Sequence, residues 1–273
     1  MHAPCWRGLA LLAGLALASA GALAALPSFE AVRAGQLSSD TRVLDRHGGL
    51  LHRLRSNPER RQGEWVRLPD VSPALRHALI LSEDRRFFEH SGVDWQAAAA
   101  AAWGRLWHSQ TRGASTITMQ LAGLIDEELR VGTGGRSWGQ KLGQVVTARE
   151  LESSWRKDEI LEAYLNLVPF RGELVGIDAL SRSLFGKAPH GLNHEEAALA
   201  AALVRAPNAA PDRVAARACS VLQSLNAAVR APAPNCAPLR WGMAARLQQR
   251  HWVPSDGIAP HAARRALAQA AGD

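Results

Sequence analysis

Between Ser72 and Asn208 the chain repeats one signal: apolar residues at helical spacing, bounded by residues that start or stop helices. Ser72 stands as an N-cap before Pro73 at the first helical position, and Leu75, Leu79 and Ser82–Glu83 then share one face. A second helix is predicted from Trp95 to Trp107 around the consecutive alanines Ala97–Ala102, because alanine is the strongest helix former. Gln140–Ser153 and Asp158–Asn166 read as two more. Asn193, with Glu196 three residues on, makes a capping box for a helix that runs to Val204 and is closed by Arg205-Ala206-Pro207-Asn208. Upstream, in Thr41–Leu54, two short apolar runs flank His47-Gly48-Gly49, the pattern of a small β hairpin. The expected fold class is mainly α with a minor β hairpin.

The N-terminus sets the topology. Gly8–Leu26 carries no charge and follows His2 and Arg7, and about 20 apolar residues span a bilayer core. An uncleaved signal anchor over residues 1–27 is expected, although the small residues at its end also fit a signal-peptidase site. Residues 28–64 read as a linker with the hairpin, 65–220 as the main domain. From Arg230 on, Pro and Ala become frequent, so 221–273 reads as a linker or the truncated start of a second domain. The formal net charge of +7 suggests an anionic partner. No zinc-ligand spacing or aromatic-interleaved basic stripe is present, so nucleic acid is not expected. Arg-rich coding bias gives the same charge without meaning. Of the three cysteines, Cys219 and Cys236 either pair in an oxidising compartment or remain free buried thiols.

Three features carry chemistry. Glu83-Asp84 ends the first helix, where carboxylates face the negative end of the helix dipole. Glu83 follows Leu79 by four residues and so points toward the apolar face, a setting for proton transfer near neutrality; the plainer reading is a surface Glu at a fraying helix end. In Gly113–Leu121, Ser115 caps a helix with Ile117, Gln120, Leu121 and Leu124 as its stripe. The free N–H groups there, with the Ser115 and Thr116 hydroxyls, would make an anion site, and Gln120 within the stripe needs a partner. Lys141 and Gln144 share a face of the next helix, which by itself distinguishes nothing from a solvated surface.

Together these segments resemble the peptidoglycan glycosyltransferase domain of class A penicillin-binding proteins, family 51 of the glycosyltransferases, and within it the 1C subgroup. Glu83-Asp84-Arg85-Arg86-Phe87-Phe88-Glu89-His90-Ser91-Gly92-Val93-Asp94 resembles the first signature and Gly113–Leu121 the second. Lys141–Glu152 resembles a degenerate third, Lys157–Asn166 the fourth and Leu203–Asn208 the fifth. Five motifs in the family's order, over roughly residues 65–215, are specific as a set.

The resemblance implies a lysozyme-like, mostly helical domain with a small membrane-facing jaw, preceded by one transmembrane helix. It implies a single-pass protein of the cell inner membrane with its catalytic domain in the periplasm. The implied reaction polymerises lipid II into β-1,4-linked glycan with loss of undecaprenyl pyrophosphate. Its partners would be lipid II, the growing glycan strand, the membrane and other cell-wall synthesis proteins. Glu83 would be the general base. Asp84, His90, Ser115, Thr116, Gln120, Lys141 and Gln144 would contact substrate, the helix end and Lys141 holding the pyrophosphate. No tightly bound cofactor is implied; a divalent cation, Mg or Mn, is a family-level expectation, and no metal-binding residues are assigned. Two positions depart from the pattern: Gly123 where the family has Lys, and Gln144 where it has a second Glu. They motivate an alternative, a catalytically weak scaffold that binds lipid II or cell-wall partners. A lysozyme-like hydrolase is disfavoured by the phosphate-facing second motif. No Ser-x-x-Lys accompanied by Lys-Thr-Gly is found, so a transpeptidase domain and β-lactam binding are not expected.

Overall fold

The computed structural model describes residues 26–55, 57, 59–106, 115–126, 138–248 and 260–270. The apolar run before Leu26 lies outside them, as do Trp107, Gly113 and Ala114. Among the described residues no helix is long and apolar enough to cross a membrane.

Among the described residues the molecule is mainly helical with two small sheets. In chain order its helices are α1 (Phe29–Gly35), α2 (Pro73–Glu83), α3 (Trp95–Leu106), α4 (Ile117–Ile125), α5 (Trp138–Ser154), α6 (Lys157–Leu167) and α7 (Ile177–Leu180). They continue with α8 (His194–Arg205), α9 (Pro211–Ala228), α10 (Cys236–Gln248) and α11 (Pro260–Ala270). Strands β1 (Asp40–Leu44) and β2 (Leu50–Arg55) form the antiparallel hairpin. The short strands β3 (Arg61–Gln62) and β4 (Leu174–Val175) pair in parallel. At the hairpin tip Asp45 Oδ1 accepts from the N–H groups of His47 and Gly49, both at 2.8 Å, and Gly48 takes a φ of 82°. Helix α1, capped by the Ser28 hydroxyl at 3.2 Å, was not among the expected elements, being shorter than any periodicity window detects.

Helix α8 is the centre. Its residues from Glu196 to Val204 are all buried, and a helix apolar on every side belongs inside a protein. Its start is the expected capping box: the Glu196 N–H donates to Asn193 Oδ1 at 2.9 Å, and the Asn193 N–H to Glu196 Oε2 at 3.1 Å. Helices α2 and α9 pack on α8, and α10 packs on α9, where Cys219 and Cys236 form a disulfide. The core faces of α9 extend through Val221, Leu222 and Leu225. Helix α4 packs against α5 and α6.

Ser72 departs from its expected role. It sits at the N-cap of α2 with Pro73 next, yet its hydroxyl makes no cap bond and donates to the Leu192 carbonyl at 2.7 Å. A tertiary acceptor wins because the Leu192 carbonyl would otherwise be buried near it without a donor. Asp94, which precedes α3, does cap: its Oδ1 accepts from the Ala97 N–H at 2.8 Å. It also pairs with Arg86, whose Nε lies 2.9 Å from Asp94 Oδ2.

The segment from Glu64 to Leu68 has no regular partner strand, and side chains of α6 and α7 satisfy it instead. Glu162 accepts from Trp65 Nε1 at 2.7 Å and from the Leu68 N–H at 2.6 Å. The Asn166 amide accepts from the Val66 N–H and donates to the Val66 carbonyl, both at 2.8 Å. Asp178 accepts from the Glu64 N–H at 3.1 Å. Gly176 brings the chain back against α6 at a φ of 78°, and a Cβ there would lie 2.6 Å from the Asn166 carbonyl oxygen.

Gly176→Ala therefore carries both left-handed strain and a backbone clash. It is expected to lower unfolding free energy by about 1–3 kcal/mol, read as a lower urea midpoint. The hydrogen bond from Arg86, helped by the Ala97 N–H and opposed by burial, holds the Asp94 carboxyl below the usual carboxylate range. A depressed folded value adds stability that is present above the ordinary carboxylate range and lost as pH falls through the folded value. Asp94→Asn is thus expected to melt lower than wild type at pH 7, with the gap closing as both proteins are taken toward acid; a constant gap would refute the pairing.

Candidate active site

Helix α2 ends at Glu83, and the chain then turns sharply through Asp84. Asp84 is 6% exposed, and its carboxylate is the hub of the turn. It lies 2.9 and 3.1 Å from His90 Nε2 and accepts from the Ile117 N–H at 3.0 Å. The last contact puts a negative charge on the N-terminus of α4, where the helix dipole favours it. The second motif is thereby docked on the first. Thr116, not Ser115, is the N-cap of α4: its Oγ1 accepts from the Met119 N–H at 3.1 Å and donates to the Gly92 carbonyl at 2.5 Å. The expected free N–H groups at this helix end are thus largely engaged by protein groups. The Ser115 hydroxyl oxygen is buried with no protein partner.

Glu83 is half-buried on the wall of a cleft, and does not project into the core as its spacing from Leu79 suggests. The reason is local: α2 stops at Glu83, so the side chain leaves at the edge of the packed face. Its Oε1 accepts from the Ser82 hydroxyl at 3.0 Å and its Oε2 from Gln120 Nε2 at 3.3 Å. Gln120 in turn accepts from the Tyr164 hydroxyl at 2.7 Å, the partner that its place in an apolar stripe requires.

The cleft has a volume of about 370 Å³, and Glu83, Asp84, Arg86, Ser115, Thr116 and Arg205 are among its lining. It thus gathers the first, second and fifth motifs. His90 stands behind Asp84, and its carbonyl accepts from Lys157 Nζ at 2.6 Å. Lys157 also reaches Glu152 at 2.7 Å and lies over the Phe87 ring at 4.5 Å, while Thr118 donates to the same Glu152 at 2.6 Å. One ammonium therefore ties α6, the end of α5, α4 and the turn after Glu83 into a single support.

Lys141 and Gln144 lie on α5, outside the described lining of the cleft. Gln144 is 1% exposed and Lys141 is half-exposed. Gly123 is buried within α4. Among the cleft residues not singled out from the sequence are Arg86 and Arg205. Arg86 stands inside the first motif, and its spacing to Asp94 is a readable signal only once the turn between them is known. Arg205 marked a helix end in sequence, and only packing brings it to the cleft that Glu83 also lines.

The described side chains do not assemble a site for the divalent cation that the resemblance suggests. No group of three or more His, Cys, Asp or Glu converges, and Asp84 and Asp94 are already committed to His90, Ile117, Arg86 and Ala97.

Residues 47–226 match the family model described as Transglycosylase. Penicillin-binding protein 1C of Escherichia coli (strain K12) is 43% identical over 161 residues, which is 57% of this chain and 20% of that protein. The biosynthetic peptidoglycan transglycosylase of Mannheimia succiniciproducens is 38% identical over 144 residues, 53% of this chain and 57% of its own length. The chain thus spans a fifth to somewhat over half of these relatives. A crystal structure of penicillin-binding protein 1A from Haemophilus influenzae overlays 87% of this chain and 25% of its own at 16% identity and a TM-score of 0.36, too loose a correspondence to transfer geometry. With the model match covering the helices that build the cleft, the chain belongs to the transglycosylase family.

Proposed function

We propose that this chain is a peptidoglycan glycosyltransferase that polymerises lipid II into β-1,4-linked glycan strands. The observation that carries the reading is Glu83: an accessible carboxylate at a helix end, held by two hydrogen-bond donors, in a cleft that also presents Arg86 and Arg205. Glu83 takes the proton of the acceptor GlcNAc 4-hydroxyl as that oxygen attacks the donor MurNAc C1. The C1–O bond to pyrophosphate breaks with inversion, and undecaprenyl pyrophosphate leaves. Negative charge grows on the leaving group, and the Arg205 guanidinium and the Ser115 hydroxyl, which has no protein partner, stabilise it, while Thr116 and Arg86 hold the cleft wall through Gly92 and Asp94. Asp84 and His90 act by holding the turn that presents Glu83, while Gln120 holds the carboxylate itself. Lys141, half-exposed on α5, is proposed as a further contact to the donor pyrophosphate, Gln144 is too buried to reach substrate, and no step runs through a metal ion.

The same reading places the protein in the cell inner membrane, anchored through the Gly8–Leu26 run, with its catalytic domain in the periplasm. The Cys219–Cys236 disulfide supports an oxidising compartment. Phe88, Trp95, Leu142 and Val146 are each more than half exposed, on segments that meet where Gly92 abuts the Ala148 carbonyl. Such apolar exposure supports a membrane-facing jaw on a lysozyme-like domain. Lipid II, the glycan strand and the membrane are its proposed partners, with other cell-wall synthesis proteins beside them.

Glycan synthesis from labelled lipid II in detergent is the test. Glu83→Gln keeps the shape of the side chain and is expected to cut the rate by about 10²–10⁴-fold. Polymerisation at the wild-type rate by Glu83→Gln, or lipid II bound by wild type without turnover, would overturn the assignment.

A further inference from the structure

The proposed base is the end of a chain of hydrogen bonds that begins deep in the core. Tyr164, in the middle of α6, is completely buried. Its hydroxyl donates to Gln120 Oε1 at 2.7 Å, and Gln120 Nε2 donates to Glu83 Oε2 at 3.3 Å. The two ends of a Gln amide are nearly the same size, so shape alone does not decide which faces Glu83. Charge decides it: an ionised carboxylate only accepts, so it demands Nε2, and the carbonyl end is then turned toward α6. That orientation is stable only if a donor waits there, and the Tyr164 hydroxyl supplies one.

Resting on the assignment of Glu83 as general base, we propose that Tyr164 is a positioning residue that fixes the Gln120 amide with its N–H toward Glu83 and so keeps the base ionised and aimed. Without the hydroxyl, the Gln120 carbonyl loses its donor in a part-buried setting. Turning the amide over would set that carbonyl against the Glu83 carboxylate, an arrangement tolerated only when Glu83 carries a proton. The loss of Tyr164 therefore favours the protonated, inactive form. Among the described residues, the other charged groups that line the cleft with Glu83 are Asp84, Arg85, Arg86, Asp94 and Arg205; none is substituted by changes at 164 or 120.

The pH–rate profile of lipid II polymerisation tests this in the full chain. Tyr164→Phe is expected to move the acid limb to higher pH by about half a unit and to lower kcat severalfold near that limb, with KM for lipid II unchanged. Gln120→Glu, which faces Glu83 with a second carboxylate, is expected to move the limb further in the same direction, by about one unit or more. In a Gln120→Leu background the Tyr164→Phe shift is expected to vanish, because the pair acts through one amide. A Tyr164→Phe profile that superimposes on wild type, or a shift that persists without Gln120, overturns the proposal. If Tyr164→Phe does not fold, as thermal melting would show, Gln120→Leu alone is expected to shift the limb, and an unshifted limb overturns it equally. Full activity of Glu83→Gln would instead remove the base assignment, whereas an inactive Glu83→Gln with an unshifted Tyr164→Phe removes only this role for Tyr164.

Discussion

One carboxylate organises the site. Asp84 is nearly inaccessible, and it accepts at once from His90, at the far side of the turn, and from the first N–H of α4. A buried charge is tolerated only when such partners surround it. Here they come from two segments far apart in sequence. The bonds that neutralise Asp84 therefore also fix where α4 starts relative to the end of α2. The cleft opens at that junction, where Glu83, Ser115 and Thr116 all line it.

Around this junction the protein uses side chains where regular structure runs out. The Glu64–Leu68 segment lies along α6 and α7 on the carboxylate of Glu162 and the amide of Asn166. Lys157 plays the matching part on the other flank, joining His90, Glu152 and the Phe87 ring. These are polar groups whose partners are complete or nearly so, and removing one leaves its neighbours buried without a bond, which costs more than the bond itself contributes. Glu83 is held on this frame through Ser82 and Gln120.

Much of this was legible from the sequence, for identifiable reasons. The hairpin was readable because two short apolar runs flank His47-Gly48-Gly49, and the turn uses all three, with Asp45, which the sequence did not single out, accepting from His47 and Gly49. The capping box at Asn193 and Glu196 was readable because both of its bonds are local. Where a residue had a distant alternative partner, the local rule failed. Ser72 has the spacing of a cap but bonds Leu192. Ser115 gives way to Thr116, because Thr116 can bond both Met119 and Gly92. Glu83 and Gln120 were identifiable as residues but not as a pair; their link, and that of Gln120 to Tyr164, crosses three helices. Arg86 and Arg205 escaped notice for the same reason.

The sequence by itself determined the helical class, the ends of α2, α5, α6 and α8 to within a residue or two and the family's motifs in their order, because these depend on neighbours within a turn or two. Only the tertiary structure decided which charges meet. It showed that the α4 N-terminus is already answered by Asp84, that Lys141 and Gln144 stand off the described cleft lining, and that Arg205 lines the same cleft as Glu83. The physical reason is that helix formation is settled by local hydrogen bonds, whereas a site is made where packing brings helix ends together and leaves polar groups to find partners across the gap.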